Sequence, residues 1–380
     1  MESSSAEQAL LEEAIGRRGR LISRDPYGRG VIAGFEVDDD GASQTWFVDT
    51  SGESVPEETG FVVRSGDAVR ARVWMHPADP RLPTLPVAAT GESAARLLEL
   101  LGVEGTVESE IVAYRPGKRA VLRLRGDDGE RFLKIVTPDA TERIAQLHTA
   151  LAKAGVPVPR VAGRAAQGCL LIEGAEGVAG PKAATELAPD VLLQAVDVVR
   201  VGLERAEVSG AARPALASRI DWYAARLAAA SPARAGVAMA VRAGVHRRRR
   251  DVTLPVVVHG DLHLGQLFFT GDAVTGLIDV DTAGVGDRDE DSAAFIGHAR
   301  TSALLTEAAG RSEAAVALHV LADVASDRWL DGPHSRALTA AHLLAHALSA
   351  VQQGAEDRAD RMLDEAASLV GVAPTAERAG

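Results

Sequence analysis

The sequence predicts an α+β protein, with strands gathered in its first half and helices filling its second. Three observations carry that expectation. Between Arg20 and about Val73, the runs Val31-Ile-Ala-Gly-Phe-Glu-Val, Thr45-Trp-Phe-Val-Asp and Val69-Arg-Ala-Arg-Val-Trp are separated by Gly- and Asp-rich turns such as Asp38-Asp-Asp-Gly. A second block, Val107–Tyr114, Ala120–Arg125 and Arg131–Val136, reads as three antiparallel strands with turns at Arg115-Pro-Gly-Lys and Gly126-Asp-Asp-Gly. From Pro189 onward, Ala/Leu/Arg-rich helices dominate, interrupted by one strand pair around 256–280.

The remaining elements follow in chain order. Residues 6–16 alternate acidic and apolar positions at helical spacing, which predicts a short amphipathic helix. Pro77-Ala-Asp-Pro-Arg-Leu-Pro-Thr-Leu-Pro reads as a proline-punctuated linker and a domain boundary. Helix-like Glu92–Leu101 follows. The stretch Asp139–Ala154 aligns Ile144, Leu147 and Leu151 on one stripe of a helix that Gly155 ends, and Val156-Pro-Val-Pro is an extended connector. Cys169–Glu173 is a further short apolar strand. At 380 residues the chain exceeds a single core. The expected division is a β-rich accessory or cap domain over 1–90, a small antiparallel lobe over 91–174 and a helical lobe over 175–380.

Composition narrows the class. With 46% hydrophobic and 25% charged residues the chain is ordinary globular material. A net charge of −12 argues against a nucleic-acid partner, since neutralising phosphates needs surplus Lys and Arg. Cys169 is the single cysteine, so no internal disulfide forms and a reducing cytoplasm is the expected compartment. The start lacks a basic segment followed by an apolar one, and no apolar run nears the roughly 20 residues that span a bilayer. No membrane partner is expected. Oligomeric state leaves no mark in the sequence. Positive charge is almost all Arg, with lysine only at 118, 134, 153 and 182, so a lysine on an apolar strand stands out.

The strongest chemical signal is Val256-Val-Val-His-Gly-Asp-Leu-His-Leu-Gly-Gln-Leu-Phe-Phe, followed by Gly276-Leu-Ile-Asp-Val-Asp. His259 leaves a buried strand, Asp261 sits on a loop, and a hairpin turning at Gly271-Asp272 returns to Asp279, drawing Asp261, Gln266 and Asp279 toward one point. Phosphoryl transfer needs such a set: one carboxylate to orient or deprotonate the attacking hydroxyl, and hard oxygens to hold magnesium against a triphosphate. Asp261 suits the first role, and Gln266 and Asp279 the second.

His259-Gly-Asp261-x-His263-x-Gly265-Gln266, then Ile278-Asp279, resembles the catalytic loop and metal-binding segment of the aminoglycoside phosphotransferase and choline kinase superfamily, over roughly residues 105–350. The downstream Gly286-Asp-Arg-Asp-Glu-Asp291 resembles that family's Gly-Asp-Pro…Asp-Leu-Ala run. Gln266 stands where the commoner form has Asn, and the variant is similar to that of bacterial maltokinases and glucosamine kinases. The resemblance implies a two-lobed protein-kinase-like fold, ATP and Mg2+ as cofactors, and a small-molecule hydroxyl acceptor, with a sugar, aminosugar or aminoglycoside-like compound favoured. Asp281, two residues on and expected on the same strand face, is either a second metal ligand or a solvated strand-end carboxylate. Of Asp287, Asp289, Glu290 and Asp291, helix capping is the preferred role over attraction of a cationic amine. His259 is expected to brace the loop.

A cation must also meet the α- and β-phosphates, and Lys134 in Arg131-Phe-Leu-Lys-Ile-Val fits, a lone ammonium among apolar neighbours that demands an anionic partner. Glu142 is the candidate partner, or else a helix cap within Asp139-x-x-Glu142. Lys118, in the turn occupying the position of the phosphate-covering loop, either touches phosphate or sits at a solvated hairpin tip. Leu170-Leu171-Ile-Glu173-Gly174 resembles the family's hinge, whose backbone meets adenine. His246-Arg-Arg-Arg-Arg250 reads as a solvated loop in an acidic chain. The functional expectation is an ATP- and Mg2+-dependent small-molecule kinase; a catalytically silent kinase-shaped protein and a metallohydrolase are the alternatives.

Overall fold

Helix α1 (Ala6–Ile15) precedes a five-stranded antiparallel sheet of β1 (Arg20–Tyr27), β2 (Gly30–Asp39), β3 (Ala42–Asp49), β4 (Phe61–Ser65) and β5 (Ala68–Met75), ordered β1-β2-β3-β5-β4. The computed structural model describes residues 6–39, 41–103, 105, 107–126, 129–252 and 254–372, so Asp40, Asp127 and Asp128 of the expected turns lie outside the described residues. Contacts divide the chain into two compact units, Met1–Gln146 with Arg160–Gly174 and Leu147–Pro159 with Ala175–Gly380.

In the first unit, β2 is buried on both faces, which is why it reads as a nearly continuous apolar run. Ala33, Phe35 and Val37 pack with Leu10 and Leu11 of α1. Ile32 points the other way, to Phe47, Trp74 and Tyr114. Helices α2 (Thr84–Ala88) and α3 (Gly91–Leu100) lead to a second sheet of β6 (Glu108–Arg115), β7 (Arg119–Gly126) and β8 (Gly129–Val136). After α4 (Pro138–Lys153), β9 (Val161–Ala165) and β10 (Cys169–Glu173) complete it in the order β6-β7-β8-β10-β9. Alternate residues Ala120, Leu122 and Leu124 of β7 turn inward, meeting Leu133, Ile135 and Leu171.

The proline-punctuated segment is not an exposed tether. Leu82 and Leu85 are fully buried in that same core, and Thr84 donates its hydroxyl to the Gln167 carbonyl. Its prolines set an irregular backbone, but two leucines three residues apart still seek a core. Fully buried Asp79 accepts the Gly117 N–H at 2.7 Å, the Tyr114 hydroxyl at 2.9 Å and the Arg81 N–H at 2.9 Å. Arg81 in turn forms a buried pair with Asp49 at 3.0 Å, and the Tyr27 hydroxyl donates to the Gly117 carbonyl. The turn between β6 and β7 is thereby docked on the first sheet.

The second unit runs β11 (Val178–Ala179), α5 (Gly180–Glu186), α6 (Pro189–Glu204), α7 (Ile220–Ala230), α8 (Ala235–Arg248), β12 (Val256–Val258), β13 (Leu267–Thr270), β14 (Ala273–Leu277) and β15 (Gly284–Gly286). Helices α9 (Arg288–Ala308), α10 (Ser312–Trp329), α11 (Pro333–Gln352) and α12 (Glu356–Leu369) complete it. One core joins α6 and α9 to the β13–β14 hairpin through Leu193, Val196, Leu267, Phe269, Leu277 and Phe295. A second core packs α7, α8, α11 and α12. His246–Arg248 is the last turn of α8, not loop, and cations there suit the negative end of a helix. No described helix is long and apolar enough to cross a membrane.

Candidate active site

β12 pairs with β15, Val256 opposite Gly286 and Val258 opposite Gly284, so the chain leaves a buried strand end at His259. Gly260 turns it with φ of 77°, and a Cβ there would lie 2.9 Å from the Thr282 carbonyl oxygen, so the reversal into Asp261 requires glycine. Asp291, in the first turn of α9, accepts the backbone N–H of both His259 and Gly260 at 2.8 Å. Burial pushes its carboxyl up, against the His259 ring and those two N–H groups. The acidic run thus divides its work: Asp287 caps α9 by accepting the Asp289 N–H, while Asp291 holds the loop.

The β13–β14 hairpin closes on Ile278. The Ile278 N–H donates to the Gln266 carbonyl at 2.9 Å, and the fully buried His259 places Nε2 3.2 Å from the Ile278 carbonyl oxygen. Two bonds at one residue therefore join the segments that carry Asp261, Gln266 and Asp279. Gln266 is buried at the end of a short 3-10 turn, and its Oε1 accepts the His263 N–H at 3.2 Å. Asp279 has φ of 59°, the one non-glycine among the described residues with positive φ. Such a conformation costs on the order of 1–3 kcal/mol, toward the low end for Asp, and strain of this kind gathers at functional sites. From there the chain enters a 3-10 turn, Val280–Thr282, so Asp281 does not share a strand face with Asp279. The expected strand continuation fails because a left-handed residue cannot extend a β-ladder.

Asp261 accepts from Arg213 Nη1 at 2.8 Å and lies 3.5 Å from His298 Nε2. Burial raises its pKa, but the His298 hydrogen bond, the Arg213 guanidinium and the His263 ring outweigh burial and hold the carboxyl well below its ordinary value. His263 accepts the Gly265 N–H at Nδ1, and burial together with His298 lowers it to about 4. Arg213 and His298 escape sequence reasoning: neither belongs to a local pattern, and an arginine is unremarkable in an Arg-biased chain. A cleft of about 260 Å³ opens beside Arg213, lined also by Ser218, Arg249, Asp251 and Glu290.

In the first unit, Lys134 is buried on β8 between Val121 of β7 and Leu170 of β10. Glu142 is exposed on α4, its carboxylate accepting from Gln146 at 2.9 Å and facing Arg164 at 3.2 Å. Lys118 is exposed, with Nζ 5.7 Å from the Tyr27 ring centroid. Leu171 is a buried ladder residue between Leu133 and Gly163, and Glu173 ends that strand paired with Arg160.

An antiparallel sheet, a following helical unit and a loop–hairpin bearing three oxygen-donor side chains define a phosphotransferase-type enzyme. The chain belongs to the phosphotransferase enzyme family, whose model matches residues 115–319. It is a small-molecule kinase of that family. Among solved structures, a thermostable mutant of the aminoglycoside phosphotransferase APH(4)-Ia, in ternary complex with ADP and hygromycin B, is 15% identical with a TM-score of 0.52, covering 73% of this chain and 97% of that one. A second such mutant, complexed with AMP-PNP and hygromycin B, is 14% identical with a TM-score of 0.52, covering 74% and 98%. These likenesses establish the α+β fold, to which the first sheet adds an N-terminal β-rich region. No curated protein sequence matches the chain.

Proposed function

We propose that the protein transfers the γ-phosphoryl group of ATP, with Mg2+, to a hydroxyl of a small molecule of the sugar, aminosugar or aminoglycoside class, in the cytoplasm. The carrying observation is the double tie at Ile278, which holds the Asp261 loop against the hairpin bearing Gln266 and Asp279. Residues 1–90 are read as the accessory domain, 91–174 as the nucleotide-binding lobe and 175–380 as the catalytic lobe.

The donor set suits magnesium: two carboxylates, Asp279 and Asp281, and an amide oxygen, Gln266, are the hard ligands that this ion prefers. Gln266 Oε1 already accepts one N–H, and a carbonyl oxygen keeps a second lone pair for a metal. When bound, the ion would neutralise charge on the β- and γ-phosphates. Asp261 binds and orients the acceptor hydroxyl. With its pKa held low it is a weak base, so it takes the proton late, as the hydroxyl oxygen commits to phosphorus. Arg213 holds the Asp261 carboxylate in place and keeps it ionised. Lys134 supplies the fixed cation for the phosphates, Lys118 lies on the phosphate-side turn, and the backbone at Leu171–Glu173 serves the adenine edge.

The test is ADP release from purified protein with ATP, Mg2+ and a panel of sugars, aminosugars, aminocyclitols and choline. One acceptor class should support turnover, and Asp261→Asn should lower kcat by about 10²–10⁴-fold with nucleotide affinity retained. Turnover persisting in that variant removes Asp261 from its role. ADP release with no acceptor class in the panel ends the proposed substrate assignment.

A further inference from the structure

Beside Asp261 lies a group of imidazoles that the oxygen-donor set does not include. His298 comes from α9, and His342 and His346 stand one turn apart on α11. The His298 ring lies 4.6 Å from that of His346 and 6.3 Å from that of His342. Each of the three can present one ring nitrogen within 4.8 Å of the others.

From this cluster we propose a transition-metal site of the zinc class, ligated by His298, His342 and His346 and separate from the oxygen-donor magnesium site. Imidazole nitrogen is a ligand of zinc, copper and nickel, whereas magnesium takes oxygen. A tetrahedral ion with metal–nitrogen bonds of about 2.0–2.1 Å sets its ligand nitrogens about 3.3 Å apart, within reach of small ring rotations from the observed spacing.

The hydrogen bonding around the rings is that of a prepared site. Ligating histidines characteristically donate their second ring N–H to a carboxylate, which fixes the tautomer and aims the other nitrogen at the ion. His342 Nε2 lies 3.0 Å from Glu290 Oε1, with both side chains under 5% exposed. Its Nδ1 is left buried without a partner among the described residues. His298 directs Nε2 to Asp261, which leaves its Nδ1 over. His346 Nε2 is likewise buried without a partner. Two buried ring nitrogens without partners in one cluster carry a cost that a ligand would relieve. An ion here would fix the His298 Nε2–H on Asp261 and so position that carboxylate.

The experiment uses the full chain without a histidine tag, stripped by chelator and titrated with Co2+ at neutral pH. The expected result is one Co2+ per chain with the intense visible bands of a tetrahedral site, displaced by Zn2+ and untouched by a large excess of Mg2+. His342→Ala and His346→Gln should each abolish the bands. Glu290→Gln should weaken binding about 10–100-fold. Asp279→Asn should leave them intact, because it alters only the oxygen-donor set. If circular dichroism shows either of these variants unfolded, His298→Gln, at a ring about a quarter exposed, carries the test and should also lose the bands. Absence of stoichiometric binding by folded wild type, unchanged binding in the folded histidine variants, or displacement by Mg2+ would each overturn the proposal.

Discussion

Asp79 in the first unit and Asp291 in the second are both buried, and each accepts the N–H of a glycine in a tight loop, Gly117 for one and Gly260 for the other. Their remaining partners differ. Asp79 gathers donors from separate elements, the Tyr114 hydroxyl and the Arg81 backbone, and so pins the edge of one sheet to another. Asp291 takes two consecutive N–H groups of one loop and so fixes the residues immediately before Asp261. The same chemistry serves assembly in one place and alignment of the Asp261 loop in the other. A buried carboxylate therefore has to be judged by what its donors belong to.

That contrast can be broken by substitution. The largest effect on stability is expected from Asp79→Ala, which strands a buried hydroxyl and two N–H groups beside Arg81. Urea unfolding should show a loss of about 3–5 kcal/mol, the scale for removing one partner from a buried charged network. Asp291→Asn keeps one acceptor and should cost less, about 1–3 kcal/mol, while kcat falls at least tenfold because the loop before Asp261 is released. If Asp79→Ala instead lowers kcat without lowering stability, the division between assembly and alignment is wrong.

A smaller effect sharpens the comparison through pH. Burial first, opposed by the Gly117 and Arg81 N–H groups, raises the Asp79 carboxyl above its ordinary 3.8. A carboxyl that keeps its proton longer in the fold than in the unfolded chain makes stability fall as pH rises from 3.8 through the folded value. Unfolding free energies measured across that window should descend more steeply for wild type than for Asp79→Asn, so the gap between the two narrows toward neutral pH. The smallest effect belongs to Glu142→Gln. Its carboxylate is exposed and its Arg164 pairing is a surface one, so stability should change by less than about 0.5 kcal/mol. A large rise in the KM for ATP with this variant would instead mark Glu142 as the partner of Lys134.

Much of the architecture was legible because it is written in local periodicity. Alternation along β7, the apolar stripe of α4 and the strand–turn–strand spacing around Gly271 depend on which residues neighbour each other in sequence, and these elements match the reading closely. The strands that escaped it were those whose own side chains say little. β9, Val-Ala-Gly-Arg-Ala, and β15, Gly-Val-Gly, are strands only because β10 and β12 offer them ladder partners. The proline-rich segment misled for the opposite reason, its prolines being local while the core that receives Leu82 and Leu85 is not.

By itself the sequence determined most of the order of strands and helices and the β13–β14 hairpin, since each rests on neighbouring residues. Only the tertiary structure decided which carboxylate serves which loop, why Asp79 is buried, how Arg213 reaches Asp261 and why His298, His342 and His346 share one small volume. Those pairings join positions far apart along the chain, and no periodicity encodes a contact that exists only once the cores have closed.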